Sequence, residues 1–147
     1  MKKLTLKSAV AALALIAAAP AAMAADLVIG LRAGPDSIDP HWSTLGSQAE
    51  ALRHVFDTLV DVDEKLQLKP GLAVSWEPID DTTWEFKMRE GVKFHDGTDF
   101  TAEDAKFSIE RIPQVTGPMP MTLYTKYVDS VEVVDDYTVR IITPAPF

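Results

Sequence analysis

Residues 84–112 read WEFKMREGVKFHDGTDFTAEDAKFSIERI, and this stretch decides most of the predicted local structure. Aromatic or apolar residues alternate with charged ones from Trp84 to Met88, which is the period-two pattern of a half-buried strand. The dipeptide Glu90-Gly91 breaks the alternation, and the following residues resume it. We therefore expect a hairpin whose return strand lies at residues 92–94.

A turn and a helix are predicted next. Asp96-Gly97 is a dipeptide that tolerates positive φ and so suits a tight turn. Thr101 is the expected N-cap of a helix over residues 102–112, because its hydroxyl can accept a hydrogen bond from an orphan amide of the first turn. The negative charges of two acidic residues in that turn interact favourably with the positive end of the helix dipole. Pro113 should end the helix.

Two further elements flank this stretch. A capping-box pattern at residues 47–50 and apolar residues at helical spacing predict an amphipathic helix over residues 48–60. Residues 128–134 and 137–142 are rich in β-formers and are separated by Asp135-Asp136. They predict a second hairpin.

Three sequence words, taken together, resemble one protein family. They are SIDP at residues 37–40, LAVSW at residues 72–76 and the run at residues 84–112. In this order and spacing they resemble the extracellular solute-binding proteins of family 5, the receptors of ABC importers for dipeptides, oligopeptides and nickel. The resemblance covers nearly the whole chain after residue 25. It implies an α/β protein of the periplasmic binding protein-like class II fold, here a partial first lobe with a mixed sheet, packed helices and a hairpin-rich α+β subdomain.

The N-terminus has the pattern of an export signal. Three lysines precede an apolar run at residues 9–19, and Ala-Met-Ala at residues 22–24 supplies the small residues of a cleavage site. We therefore predict a signal peptide over residues 1–24. The apolar run is shorter than the ~20 residues of a spanning helix, which argues against a membrane anchor. Without cysteine the chain is not expected to be a lipoprotein or to form disulfides, and the periplasm is the expected compartment.

The length of the chain indicates how much of the domain is present, and its net charge excludes two classes of partner. The family's receptors are several times longer than the 123 residues after the signal, so the resemblance implies that residues 25–147 are the N-terminal part of the solute-binding domain, with the second lobe absent. The formal net charge of −8 becomes −11 once the three signal lysines are removed. Such an acidic chain would be repelled by nucleic acid and anionic membranes, and neither is expected as a partner.

The candidate ligand contacts lie near the start of the mature chain. Residues 26–31 are a short apolar run that suits a buried parallel strand, and a loop rich in turn-forming residues follows at residues 32–40. In the resembled family this first loop contributes to the ligand cleft, although a loop here could also serve only to connect strand and helix. An aromatic residue two positions after the loop's Asp-Pro pair is a further candidate. The predicted ligand-binding residues are Arg32, Gly34, Pro35, Asp36 and Trp42.

The sequence offers little for catalysis or metal binding. His41, His54 and His95 show no metal-ligand spacing, and the absence of cysteine excludes thiolate zinc sites. His95-Asp96 could act as a base with its orienting carboxylate, but Asp96 is better used to shape the turn. Neither a nucleophile elbow nor a phosphate-binding loop is present in the sequence. We predict no catalytic residue, no metal ligand and no cofactor.

The expected function is that of a periplasmic receptor for an ABC importer. As the resemblance implies, it would capture a short peptide as a monomer and deliver it to the inner-membrane permease. Nickel chelates, haem, sugars and opines stay open as alternative ligands, because family members differ in cargo. Two other interpretations are a truncated product that binds nothing and a periplasmic hydrolase.

Overall fold

A computed structural model describes residues 27–30 and 33–147. The chain divides into two units, residues 1–30 and 31–147. Residues 27–30 form no regular secondary structure and are exposed, so the predicted parallel strand at residues 26–31 is wrong over the residues that are described. An apolar run becomes a strand only where a neighbouring strand accepts its hydrogen bonds, and residues 27–30 belong to no ladder of the described strands. The predicted signal peptide, residues 1–24, lies outside the described residues.

Over its described residues, 33–147, the second unit contains three short α-helices, a 3₁₀ turn and six strands. None of its described helices is long and apolar enough to cross a membrane. The elements in chain order are α1 (Gly46–Leu52), β1 (Val60–Val62), β2 (Leu68–Pro70), β3 (Ala73–Pro78), β4 (Thr83–Met88), α2 (Ala102–Arg111), a 3₁₀ turn (Ile112–Gln114), α3 (Thr122–Thr125), β5 (Ser130–Asp135) and β6 (Thr138–Ile142).

Four strands form one antiparallel sheet in the order β3-β4-β6-β5, and β1 pairs with β2 in a separate ribbon. One row of apolar side chains crosses all four strands, because Trp76 lies opposite Phe86, Phe86 opposite Val139, and Val139 opposite Val133. The alternation predicted for residues 84–88 is therefore confirmed as strand β4. It places one face of the sheet against the core and leaves charged residues on the other.

Helix α2 packs against β5 and β6 and closes the core. Val139 is fully buried at the centre of the sheet. Burial of a side chain of this kind stabilises the fold by about 1.5–3 kcal/mol. The buried apolar cluster consists of Ala73, Met88, Phe100, Ala102, Ala105, Val131 and Val139.

The predicted cap and helix are confirmed. Thr101 caps α2 in a capping box, in which its amide donates to Asp104 Oδ2 at 2.8 Å and its hydroxyl donates to the same oxygen at 3.0 Å. The amide of Ala102 donates to the carbonyl of Asp136 at 2.8 Å, so the helix start is tied to the turn between β5 and β6. The α-helix ends at Arg111, and Pro113 lies in the 3₁₀ turn that follows.

The helix predicted over residues 48–60 is much shorter than expected. It begins at Gly46 with Leu45 as N-cap and ends at Leu52. The chain turns at residues 53–55 and then runs beside the start of β3, since the carbonyls of Thr58 and Leu59 accept hydrogen bonds from the amides of residues 72 and 73 at 2.9 and 2.8 Å. These non-local bonds outweigh the helical periodicity of the sequence.

The first predicted hairpin is wrong and the second is confirmed. Strand β4 already has β3 on one edge and β6 on the other, so no edge is free for residues 92–94. A bridge between Lys93 and Asp99 instead closes a short loop around the predicted Asp96-Gly97 turn, where Gly97 has φ +91°. Strands β5 and β6 pair antiparallel and form the second hairpin.

Candidate ligand-binding site

The first loop, defined here as residues 33–45, is held by the buried side chain of Gln48. This residue is only 3% exposed. Its Oε1 accepts a hydrogen bond from the amide of Asp36 at 3.1 Å, and its Nε2 donates to the carbonyl of Ser37 at 2.6 Å. The loop forms no strand or helix before Gly46, so these bonds satisfy main-chain groups that a ladder would otherwise satisfy. Helix α1 thus fixes the start of the loop.

A bidentate ion pair holds the middle of the loop. Arg111, the last residue of α2, donates from Nη1 to Asp39 Oδ1 at 3.1 Å and from Nη2 to Asp39 Oδ2 at 2.7 Å. The two side chains are 30% and 28% exposed. The hydrogen bonds from Arg111 hold the pKa of Asp39 below its usual value. Both residues are therefore charged at neutral pH, and the fork of the guanidinium matches the carboxylate.

His41 completes this group of side chains. Its amide donates to Asp39 Oδ1 at 2.9 Å, and its ring Nδ1 lies 3.0 Å from Arg111 Nη1. Because a guanidinium only donates, Nδ1 must be the acceptor, which places the proton of the neutral ring on Nε2. Burial, and then the positive charge of Arg111, lower the pKa of His41. The imidazole is therefore neutral at pH 7.

The end of the loop is joined to the segment after α2. The amide of Thr44 donates to the carbonyl of Met119 at 2.9 Å, and Ser43 forms a parallel bridge with Met119. Trp42 packs on Gly117. Its indole Nε1 is buried and has no hydrogen-bond partner in the part of the chain that the structure describes. The loop is therefore fixed at three points, by α1, by Arg111 and by residues 117–119.

The predicted ligand-binding residues occupy two parts of this loop. Gly34, Pro35 and Asp36 are exposed near its start, whereas Trp42 is half-buried near its end. No hydrogen bond joins the two parts directly among residues 33–45. Arg32 lies outside the described residues. Contact of these five residues with a ligand stays a prediction.

Sequence reasoning missed the residues that fix the loop. Arg111 looks like a solvated cation in the last turn of a helix, and Gln48 like a polar residue of an amphipathic one. Neither carries a local signal, because its partners lie up to 72 residues away in the chain. The only indication was Asp39 itself, the acid of the SIDP word.

The described residues contain no alternative site with a clear chemistry. No group of three His, Cys, Asp or Glu side chains among them could hold a metal ion. Asp96 accepts hydrogen bonds from the amide and hydroxyl of Thr98 at 3.0 and 2.7 Å, so it shapes its turn as predicted. A depression of about 900 Å³ over the outer face of the sheet is open and lined by charges of both signs, including Glu85 and Arg140. It lacks the enclosure of a ligand pocket.

Comparison with known sequences identifies a family. The sequence model described as "Bacterial extracellular solute-binding proteins, family 5 Middle" matches residues 67–147. The chain is 33% identical over 95 residues to the periplasmic murein peptide-binding protein MppA of Escherichia coli, covering 63% of this chain and 18% of MppA. It is 32% identical over 141 residues to the periplasmic oligopeptide-binding protein OppA of Salmonella typhimurium, covering 86% of this chain and 26% of OppA.

Solved structures agree on the fold. The structure of Escherichia coli MppA matches with a TM-score of 0.71 at 26% identity, over 80% of this chain and 26% of that one. Helicobacter pylori DppA in complex with the peptide STSA matches with a TM-score of 0.65 at 28% identity, over 78% and 26%. The predicted class II fold is thereby confirmed, and this chain spans about a quarter or less of each relative. The chain belongs to the bacterial extracellular solute-binding proteins of family 5.

Proposed function

We propose that this chain contributes the N-terminal part of the first lobe to the substrate-binding component of an ABC importer, which captures short peptides. The observation that carries this proposal is the similarity in sequence and fold to MppA and OppA, which are named as peptide-binding proteins. A peptide is also the ligand in the DppA complex. These named relatives support peptides over the haem, sugars and opines that the sequence left open.

The first loop would supply this lobe's contacts. Its candidate contacts are Arg32, Gly34, Pro35, Asp36 and Trp42. Main-chain groups of the exposed part can bond to an extended peptide with little dependence on its side chains. Asp36 is held through its amide, and its carboxylate has no hydrogen bond or ion pair with another described residue. That carboxylate is available to a cationic group such as an α-amine.

The way the loop is held supports a binding role. Because α1, Arg111 and residues 117–119 already fix the loop, ligand binding would not lose free energy to ordering the loop. Two lobes that hinge shut over a ligand would then exclude water from these contacts. The closed form is the one that we propose the inner-membrane permease recognises.

Export and partners belong to the same proposal. Residues 1–24 would direct the chain to the periplasm, where the relatives MppA and OppA are named as residing. Without cysteine it would not be lipid-anchored at a cysteine. The relatives are binding proteins and not enzymes, and we extend this to the present chain, acting as a monomer without a cofactor.

A thermal-shift experiment tests the proposal. It uses the receptor, meaning the longest natural gene product that contains residues 25–147, expressed without residues 1–24. A ligand present at a hundredfold above its Kd raises the free energy of unfolding by about 2.7 kcal/mol. We expect stabilisation by one or more di- to pentapeptides, which mass spectrometry recovers uncleaved. Stabilisation by a nickel chelate, haem, sugar or opine but by no peptide would contradict the proposed ligand, and peptide cleavage would favour the hydrolase interpretation.

A further inference from the structure

Arg111 joins a rigid part of the fold to the first loop. It ends helix α2, whose inner face is buried through Ala102 and Ala105 and whose next residue, Ile112, is buried as well. The hydrogen-bond partners of its guanidinium among the described residues, Asp39 and His41, both belong to the loop. The position of the helix end therefore determines where these loop residues lie.

The hydrogen bonds of Asp39 also fix the backbone of the loop. Its Oδ1 accepts from the amide of His41 at 2.9 Å while it also accepts from Arg111, and its own amide donates to Ser37 Oγ at 3.0 Å. These bonds define the chain path from residue 37 to residue 41. The candidate contacts lie on both sides of that path, with Asp36 before it and Trp42 after it.

The energetics favour a positioning role over a stabilising one. The Asp39–Arg111 pair is nearly one-third exposed, and ion pairs of such exposure add little to global stability. The buried cluster under the sheet does not include either residue. Loss of the pair would therefore free the middle of the loop, residues 37–41, and leave the rest of the fold in place.

We propose that Arg111 is a positioning residue for ligand binding, which holds the first loop in its binding conformation through Asp39 and His41. This inference rests on the proposed function, because it requires that the loop binds a ligand. Lysine cannot replace arginine in this role, since a single ammonium lacks the planar fork that contacts both carboxylate oxygens. If the loop of a variant adopts the binding conformation one-tenth of the time, the apparent affinity falls tenfold.

The chain provides a matched control in Arg140. This arginine also pairs with a carboxylate, donating from Nε and Nη2 to Glu85 Oε2 at 3.0 and 2.8 Å, but on the outer face of the sheet. Its side chain has a similar exposure, 36%. The variants Arg111→Lys and Arg140→Lys thus each replace a guanidinium that donates two hydrogen bonds to a carboxylate by a single ammonium. Of the two arginines, Arg111 is the one that contacts the first loop.

The experiment measures peptide Kd by calorimetry at 25 °C and melting temperature for the receptor and both variants. We expect Arg111→Lys to weaken peptide binding about tenfold and Arg140→Lys to change it less than about twofold, with similar small losses in melting temperature for both. Hydrogen exchange of the His41 amide should accelerate in Arg111→Lys alone. If Arg111→Lys is not folded at 25 °C, Asp39→Asn replaces it with the same expected direction of change.

The outcomes separate this inference from the proposed function. A receptor that binds no peptide overturns the proposed function, and this inference with it. A receptor that binds peptide with the same Kd in folded Arg111→Lys and Asp39→Asn overturns this inference alone. An equal loss of affinity in Arg140→Lys also overturns it, because the effect would then follow from general destabilisation.

Discussion

Gly117 lies directly against the backbone of Trp42, so that a Cβ atom added at Gly117 would overlap the carbonyl oxygen of Trp42 and come within 3.2 Å of its indole ring. The two residues are 75 positions apart, and the hydrogen bond from Thr44 to Met119 lies beside them. Glycine is required here because a larger residue would not fit in the available space. The backbone of Gly117 has no positive φ, so its conformation alone would not require glycine. This close approach brings the end of the first loop against the segment that follows α2.

Substitution of this glycine should displace the loop. We expect Gly117→Ala to destabilise the receptor by about 1–3 kcal/mol, because backbone atoms must move to admit the methyl group. The change should alter the fluorescence of Trp42. Gly46→Ala is the control, since a Cβ at Gly46 meets no atom within 4 Å and its effect should lie within about 0.5 kcal/mol. Equal stability of the two variants would show that residues 42 and 117 are not in contact.

The Asp39–Arg111 pair should show measurable coupling. A double-mutant cycle with Asp39→Asn and Arg111→Gln, followed by chemical denaturation, is expected to give about 1 kcal/mol for this bidentate, partly exposed pair. The Glu85–Arg140 pair provides the comparison within the sheet. A coupling energy of zero for Asp39 and Arg111 would contradict this prediction.

Protonation of His41 should loosen the loop in mild acid. Its lowered pKa means that the folded state takes up a proton less readily than the unfolded state, whose histidine has a pKa of 6.5. The stability linked to neutral His41 is thus complete above pH 6.5 and is lost as the pH falls from there through the lowered pKa. The charged groups that face this ring are Arg111 and Asp39. Protonation would convert the Arg111 contact into repulsion.

The variant His41→Gln tests this prediction, because its amide oxygen can accept from Arg111 without titrating. Unfolding free energies measured between pH 8 and 5 should fall more steeply for the receptor than for His41→Gln. Parallel curves would contradict the prediction. Below about pH 4 both proteins should lose the stability that the lowered pKa of Asp39 provides, since that contribution is present only above the unfolded value of 3.8.

Local patterns predicted the elements whose hydrogen bonds are local. Thr101 and Asp104 bond within one helical turn, and the Asp96-Gly97 turn closes on its own neighbours. The second hairpin pairs strands that follow each other directly. In these cases the residues that determine the structure lie within a few positions of one another, so the sequence pattern contains the interaction.

Prediction failed where distant segments compete for the same backbone. Strand β4 does not pair with residues 92–94, because β6, some fifty residues later in the chain, forms the hydrogen bonds along that edge of β4. The helix after Gly46 stops at Leu52 because residues 58 and 59 pair with residues 72 and 73. The candidate site was predicted as a loop, but its fixation by Gln48 and Arg111 depends on side chains far along the chain, for which a single sequence gives no signal.

Hydrogen exchange of the receptor with and without a saturating short peptide tests whether the first loop binds the ligand. We expect slower exchange at residues 33–45 in the complex and little change at residues 130–142, which form the hairpin of β5 and β6. Protection confined to other parts of the receptor, with unchanged exchange at residues 33–45, would contradict it.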